Sequence, residues 1–416
     1  MPTVSSALLS DARILAAYLV FFGSYLVFAL GKFPWMKIDR PGAAIIGAVL
    51  MVAFGIVGAP QALASIDFAT IVLLFSMMLI VANVRLAGFF DWIAAWIIQR
   101  LHPHHLLPVV VVTSGVLSAF LVNDIVCLVM TPFAVQLARR LRLPPVPYVV
   151  AVATASNIGS TATITGNPQN MLIGSLSGIP YVDFLAHLAP VALAGLLVTW
   201  AVIHRLYLRG PIDRVLVEQA LPPEFAHAGF RRKPVVVLGI VLSGFLAGVP
   251  PPMMAAIGGA LLLITRIVEP RHVYEEVDWG LLVFFIGLFI IVGGADRAGL
   301  TAHLLGPVEA WNLHRIPVFV PAVAIFSNIV SNVPAVMLLR TIVPGLPDPH
   351  TGWLLLAMTS TLAGNLTITG SVANIIVVER AAAEGVHVGF REYFRAGLPL
   401  TVLTLGIGSL WLWVLA

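Results

Sequence analysis

Long apolar runs, each closed by Pro, Gly or a charge, recur from one end of this chain to the other. A membrane-crossing helix needs about 20 predominantly apolar residues. By that measure the runs predict full spans near 12–30, 41–58, 67–82, 146–175, 183–205, 234–250, 253–268, 278–294, 350–378 and 394–415. Two further apolar segments, 107–138 and 316–340, are interrupted by polar residues: Val122-Asn123-Asp124 in the first and Ser331-Asn332-Val333 in the second. In hydrocarbon, the backbone groups freed by such a break must find partners in protein or in a water-filled cavity. Both segments therefore read as re-entrant hairpins with tips near mid-membrane; the alternative is two ordinary helices joined by a short turn. The stretches 84–102 and 296–314 read as amphipathic interfacial helices ahead of each hairpin. The first apolar run follows only Arg13 and precedes Lys32, Lys37 and Arg40, so it reads as a retained span and not as a cleaved leader.

Composition fits that pattern. Apolar residues make up 59% of the 416 and charged residues 10%, against about 45–50% and about 25% in soluble globular chains. The mean hydropathy is +1.00. So apolar a chain has lipid as its solvent. The single cysteine, Cys127, excludes a disulfide framework, a Cys-based zinc site and an iron–sulfur cluster. Of the 23 Lys and Arg, all but Arg13, Arg297, Arg315 and Arg340 fall on one side of the membrane when the spans are threaded with two hairpins. Short cytoplasmic loops hold the positive excess. The expectation is a multi-pass protein of the cell (inner or plasma) membrane, with both termini outside. The positives are orientation signals, and no nucleic-acid partner is expected.

The chain repeats itself. Asp67 and its apolar run to Leu86-Ala87-Gly88 align with Asp278 and its run to Arg297-Ala298-Gly299. Ser118 and Asn123 align with Ser327 and Asn332, and Thr163-Ile164-Thr165-Gly166 recurs as Thr367-Ile368-Thr369-Gly370, with Ser156 matching Ser360 and Asn170 matching Asn374. The expected organisation is a first repeat over 1–206, a cytoplasmic linker over 207–233 and a second repeat over 234–416. Each repeat holds five spans and one hairpin, so the second must enter the membrane upside down. The fold expected is an all-α polytopic membrane protein of two inverted repeats with broken helices at the midplane. Such repeats, with interrupted helices in matched positions, are the architecture of secondary transporters.

The richest polar text lies inside hydrophobic spans: 155–170 in the first half and 359–371 in the second. Small hydroxyl and amide side chains with Gly159, Gly166 and Pro168 favour unwinding there. Unwound backbone offers carbonyls to a cation and half-helix N-termini to an anion. The competing explanation is helix packing, where Ser, Thr and Gly are common. Asp124 is the one carboxylate expected near the bilayer centre, as a cation ligand or proton carrier, or as a cap on the second hairpin helix. Candidate substrate and ion ligands are Asn123, Asp124, Ser156, Asn157, Thr161, Thr163, Asn167, Ser331, Asn332, Asn365, Thr367 and Ser371. A sodium ion would sit among Asn123, Asp124, Asn157, Asn332 and Asn365. His102, His104 and His105 read as solvated loop histidines, and no histidine falls mid-span, which argues against an intramembrane metalloprotease.

The hairpin text from Val122-Asn123-Asp124-Ile125 to Thr131-Pro132, followed by Ser156-Asn157-Ile158-Gly159-Ser160-Thr161-Ala162-Thr163-Ile164-Thr165-Gly166-Asn167-Pro168-Gln169-Asn170, resembles the ion transporter superfamily. That group holds the citrate-transporter-like, divalent anion:sodium symporter, arsenite-efflux and sodium/proton antiporter families. The segment from Ala363-Gly364-Asn365 to Ala373-Asn374 is similar to the matching motif of the arsenite and citrate-like members. The resemblance implies a scaffold and a moving transport domain, often in a homodimer. In the sodium-coupled dicarboxylate members, Ser-Asn-Thr triplets at the hairpin tips contact substrate and sodium. Here only Asn123 carries over in the first triplet and Ser331-Asn332 in the second, and Asn123-Asp124 is closer to the arsenite-permease branch.

The function expected is secondary active transport of a small anion, citrate- or dicarboxylate-like or an oxyanion. Coupling would be to Na+ or H+, with no other cofactor and no enzymatic activity. The alternatives are a sodium/proton antiporter or an arsenite-type efflux permease, and, from another class, an ion channel.

Overall fold

The computed structural model of the chain describes residues 4–33, 38–100, 105–208, 231–265, 269–300, 303 and 312–416. Most of the predicted linker and of the 296–314 stretch, together with His102 and His104, lie outside the described residues. What is described is almost wholly helical, apart from a two-residue antiparallel pairing of β1 (Lys32–Phe33) with β2 (Ile38–Asp39).

The first half runs α1 (Val4–Leu30), α2 (Arg40–Ala53), α3 (Ala59–Ala64), α4 (Phe68–Leu86), α5 (Phe89–Arg100), α6 (Leu106–Phe120), α7 (Asn123–Arg140), α8 (Val146–Ser160), α9 (Pro168–Ser177) and α10 (Tyr181–Tyr207). The second half runs α11 (Lys233–Leu246), α12 (Pro251–Ile264), α13 (Pro270–Glu275), α14 (Trp279–Arg297), α15 (Ile316–Val330), α16 (Asn332–Leu339), α17 (Pro349–Ala363), α18 (Val372–Ala383) and α19 (Phe390–Leu415). Five of the described helices are long and apolar enough to cross a membrane unaided: most of α1, with α4, α10, α14 and α19. The predicted spans at 41–58, 234–250 and 253–268 are shorter than expected, because α2, α11 and α12 have 14 residues each. At about 1.5 Å per residue they fall short of a hydrocarbon core of about 30 Å.

Matched positions do matched work. Asp67 caps α4 by accepting from the Thr70 N–H at 2.8 Å, and Asp278 caps α14 by accepting from the Leu281 N–H at 2.8 Å. Each satisfies one of the orphan donors that a helix start leaves in apolar surroundings. Packing between the halves is reciprocal: α2 lies against α14 while α4 lies against α12, and α8 lies against α18 while α9 lies against α17. Within each half the first hairpin helix packs on the first part of the broken helix, α6 on α8 and α15 on α17.

Contacts between helix ends follow the alternation of spans. Arg85 pairs with Glu276, Arg139 donates to the Glu384 carbonyl and Tyr207 to the Glu392 carbonyl, all ends that threading puts on one side. Ser175 donates to Asp67, Arg340 lies 3.8 Å from Asp296, and His350 meets Asp183, all on the other side. Leu15, Leu19, Leu197, Val402 and Trp413 face outward, as a chain solvated by lipid requires.

Candidate functional site

Two hairpins and two broken helices converge. In the first hairpin α6 ends at Leu121, which is extended, and α7 begins at Asn123. The Asn123 N–H donates to the Gly166 carbonyl at 3.0 Å, so the hairpin tip is tied to the unwound segment 161–167 between α8 and α9. Gly166 has to be glycine there, since a Cβ would stand 2.3 Å from the Ser160 carbonyl oxygen. Past the break, Asn167 restarts the chain as the cap of α9, accepting from the Asn170 N–H at 2.9 Å, with Pro168 in the first turn, where its missing N–H costs nothing.

The second hairpin turns at Ser331, whose φ of +77° is a backbone state that non-glycine residues seldom hold. Such strain persists where its surroundings over-determine it, often at binding sites. The second broken helix opens over 364–371 between α17 and α18. One device closes both breaks. The Asn170 amide donates to the Ser160 and Thr163 carbonyls at 3.1 and 2.9 Å, and the Asn374 amide to the Gly364 and Thr367 carbonyls at 2.7 and 3.0 Å. These are equivalent residues of the two repeats, making equivalent bonds.

Asn157 is the hub of a first cluster. Its nitrogen donates to Asn365 Oδ1 at 3.0 Å and Asn374 Oδ1 at 2.8 Å, both in the other half of the chain. Its oxygen accepts from Ser371 Oγ at 3.1 Å and Asn123 Nδ2 at 3.3 Å. Both hydrogens and both lone pairs of one amide are used, and the residue is 1% exposed. Ser156 Oγ, 2.6 Å from Ser118 Oγ, also donates to the Asn123 carbonyl and so supports the tip from behind.

The equivalent of Asn157 in the second half is Thr361, and a second cluster forms around it. Asn167 and Gln169 donate to Thr361 Oγ1 at 3.3 and 3.2 Å. The Asn332 amide nitrogen lies 3.1 Å from the carbonyls of Gly370 and Ser360, and its oxygen accepts from Gln169 at 3.3 Å. The two clusters are related in position and differ in chemistry: four asparagines meet in the first, a threonine and mixed amides in the second.

Most of the sequence-predicted residues come together here, with different duties. Asn123, Asn157, Asn365 and Ser371 share the first cluster, and Asn167 and Asn332 the second. Thr161 donates to the Asn157 carbonyl one turn back, and Thr163 donates to the Ala119 carbonyl, tying the unwound segment to the hairpin. Thr367 is half-buried, with only Thr369 beside its hydroxyl at 3.4 Å. Ser331 gives the turn its shape and caps nothing with its side chain. Asp124 does not cap α7 either: the capping position is Val122, and among the described residues Asp124 makes no hydrogen bond or ion pair. Its carboxylate is half-buried. Asn374, Gln169 and Asn328 were absent from the predicted set. The repeat pointed to Asn374 through Asn170, whereas nothing in the local text marked Asn328, which donates to the Ala363 carbonyl at 2.9 Å.

Among the described residues, three amide oxygens, Asn123 Oδ1, Asn170 Oδ1 and Asn328 Oδ1, are buried without a hydrogen-bond partner. Unpaired buried acceptors are costly unless something donates to them, and a cation or a ligand hydroxyl fits that need. No arginine or lysine is among the partners of either cluster. Among the described residues no group of three or more His, Cys, Asp or Glu is placed to hold a metal ion. A cation here would rest on neutral oxygens.

A family model described as citrate transporter matches residues 25–363. A 46 kDa membrane protein of Mycobacterium leprae is 31% identical over 408 residues, covering 91% of this chain and 94% of that protein. A silicon efflux transporter of Oryza sativa subsp. japonica is 29% identical, over 97% of this chain and 98% of its own. The crystal structure of the YdaH transporter of Alcanivorax borkumensis superposes with a TM-score of 0.56 at 14% identity, covering 98% of both chains. That likeness concerns the fold alone.

Proposed function

The chain belongs to the citrate transporter family and is a multi-pass membrane transporter, not an enzyme, and we propose that it is a secondary active one, carrying a small oxygen-rich anion coupled to sodium ions or protons. The observation that carries this reading is the Asn157 hub, which joins the two repeats across their interface at the unwound stretches of both broken helices. A site held by both repeats is remade whenever one rocks against the other, which is how alternating access works on such scaffolds. The reciprocal packing of the halves supports an inverted relation between them. The lopsided distribution of Lys and Arg supports a cytoplasmic linker with both termini outside.

A second reading, export of a weak oxyacid in its undissociated form, is favoured because, among the described residues, neither cluster has a basic partner. A trivalent or divalent anion without arginine or lysine needs accompanying cations, whereas a neutral polyhydroxy acid needs only hydroxyl and amide partners. The silicon efflux relative supports the same direction. A thermal-shift screen of the purified protein separates the two. Citrate, succinate, phosphate, silicic acid and arsenite would be tested with and without sodium, at several pH values. The anion reading predicts stabilisation by an anion that strengthens with sodium or with acid. The oxyacid reading predicts stabilisation by silicic acid or arsenite, independent of sodium. Stabilisation by none of them contradicts both.

Asp124 carries the coupling in either case. Asp124→Asn keeps the shape and loses the charge, so gradient-driven accumulation is expected to vanish while some downhill exchange survives. Flux in proteoliposomes with imposed sodium or pH gradients checks this. Accumulation with wild-type dependence on sodium and pH would leave the coupling to neutral oxygens alone.

A further inference from the structure

Far from both clusters, at the ends of α10 and α17 that threading puts on the outer side, one carboxylate is shared by two histidines. His350 Nε2 lies 2.7 Å from Asp183 Oδ2. His187 Nδ1 lies 3.0 Å from Asp183 Oδ1 and 2.8 Å from the Asp183 carbonyl. The two imidazole rings meet edge to face with centroids 5.3 Å apart. Asp183 and His187 belong to the first half and His350 to the second, so the contact bridges the repeats at the head of α17. That helix carries Ser360 and Thr361 into the second cluster at its other end. On the α19 side the neighbour is neutral: Trp411 Nε1 donates to the His187 carbonyl at 2.9 Å.

We propose that Asp183, His187 and His350 form a proton-operated latch between the heads of α10 and α17. The groups facing it are Asp183 on α10 and Asp348, the cap of α17, whose carboxylate accepts from the Thr351 N–H. Among the described residues no arginine or lysine pairs with Asp183. Histidine is the side chain that ordinarily changes charge between about pH 5 and pH 8. One imidazolium against Asp183 makes a charge-assisted bond. A second imidazolium, with the ring centroids 5.3 Å apart, would be repelled by the first. Acid on this face fastens α17 to α10 through an ion pair, and base leaves only a neutral imidazole N–H on the Asp183 carboxylate, which opens more readily. The inference concerns the movement of α17 and does not depend on which solute is carried.

Hydrogen exchange of the amides in the first two turns of α17, on the full chain in nanodiscs, tests it without any substrate. After correction for intrinsic exchange, the wild-type amides should exchange about fivefold more slowly near pH 5.5 than near pH 8, a size suited to a half-exposed pair. High salt should shrink the ratio. His350→Gln keeps a donor and loses the titration, so its ratio should fall to about one. His350→Arg keeps the charge at all pH, so its amides should stay protected at both values. Asp183→Asn should behave as His350→Gln does. A His350→Gln protein with the wild-type ratio, or an Asp183→Asn protein that keeps it, would overturn the latch. All three side chains are partly exposed, so these changes leave the packed core untouched.

Discussion

Asn157→Ala is expected to lower transport by on the order of a hundredfold or more, while the protein still folds and expresses. The side chain spends all four hydrogen-bonding positions on Asn123, Asn365, Asn374 and Ser371. Removing it would orphan four buried polar groups, at about 1–3 kcal/mol each if nothing replaced it. Something does replace it: the vacated volume is polar on several sides and suits one water molecule, which needs 2–4 partners. Water restores most of the stability and none of the fixed geometry that holds the two repeats in register. Two lost site interactions of ordinary size amount to about a hundredfold. Flux per folded molecule decides the matter. Unchanged flux with a large loss of folded protein would make the cluster a packing device.

Gly159→Ala should fail earlier, at folding. A Cβ on Gly159 would stand 2.0 Å from the Gly115 carbonyl oxygen and 2.5 Å from its Cα, so α6 and α8 touch backbone to backbone. Backbone cannot rotate out of the way, and prising the helices apart also displaces Ser118 from Ser156. Overpacking costs typically about 1–3 kcal/mol where side chains can yield, and more is expected here. Gly115→Ala meets first the end of the Leu196 side chain, and Gly239→Ala meets nothing within 4 Å. The order of melting temperatures should therefore run Gly239→Ala, equal to wild type, then Gly115→Ala, then Gly159→Ala, which should yield little monodisperse protein. A Gly159→Ala protein as stable as Gly239→Ala would contradict the close approach of α6 and α8.

The architecture could be read from the sequence because lipid imposes few choices. An apolar run in hydrocarbon has to be helical, so breaks stand out, and Asn123 and Asn332 lie at the turns of helical hairpins as their interrupting text suggested. The unwound stretches were legible for the same reason: Gly166 and Pro168 have local consequences that do not depend on the rest of the fold. Partnerships were harder. Thr161 carries the same hydroxyl as Thr361, yet it bonds back to its own helix while Thr361 collects two amides from α9 and its cap. Which of these occurs is set by the rotation of a helix against a distant neighbour, and buried helices show no amphipathic stripe to reveal it. Asn328 shows the limit plainly, since its partner Ala363 is apolar and offers only a carbonyl. The Asp183–His187–His350 cluster was invisible likewise, because Asp183 and His350 lie 167 residues apart in the chain.

Solute counterflow in proteoliposomes tests the central claim most directly, with wild type and Asn157→Ala compared side by side. Vesicles are preloaded with whichever solute stabilises the protein, diluted into a trace of labelled solute, and given or denied a sodium or pH gradient. The account predicts a transient overshoot of label in wild type, enlarged by one of the gradients and absent in Asn157→Ala. Label that only equilibrates, with no overshoot and no response to either gradient, would contradict it.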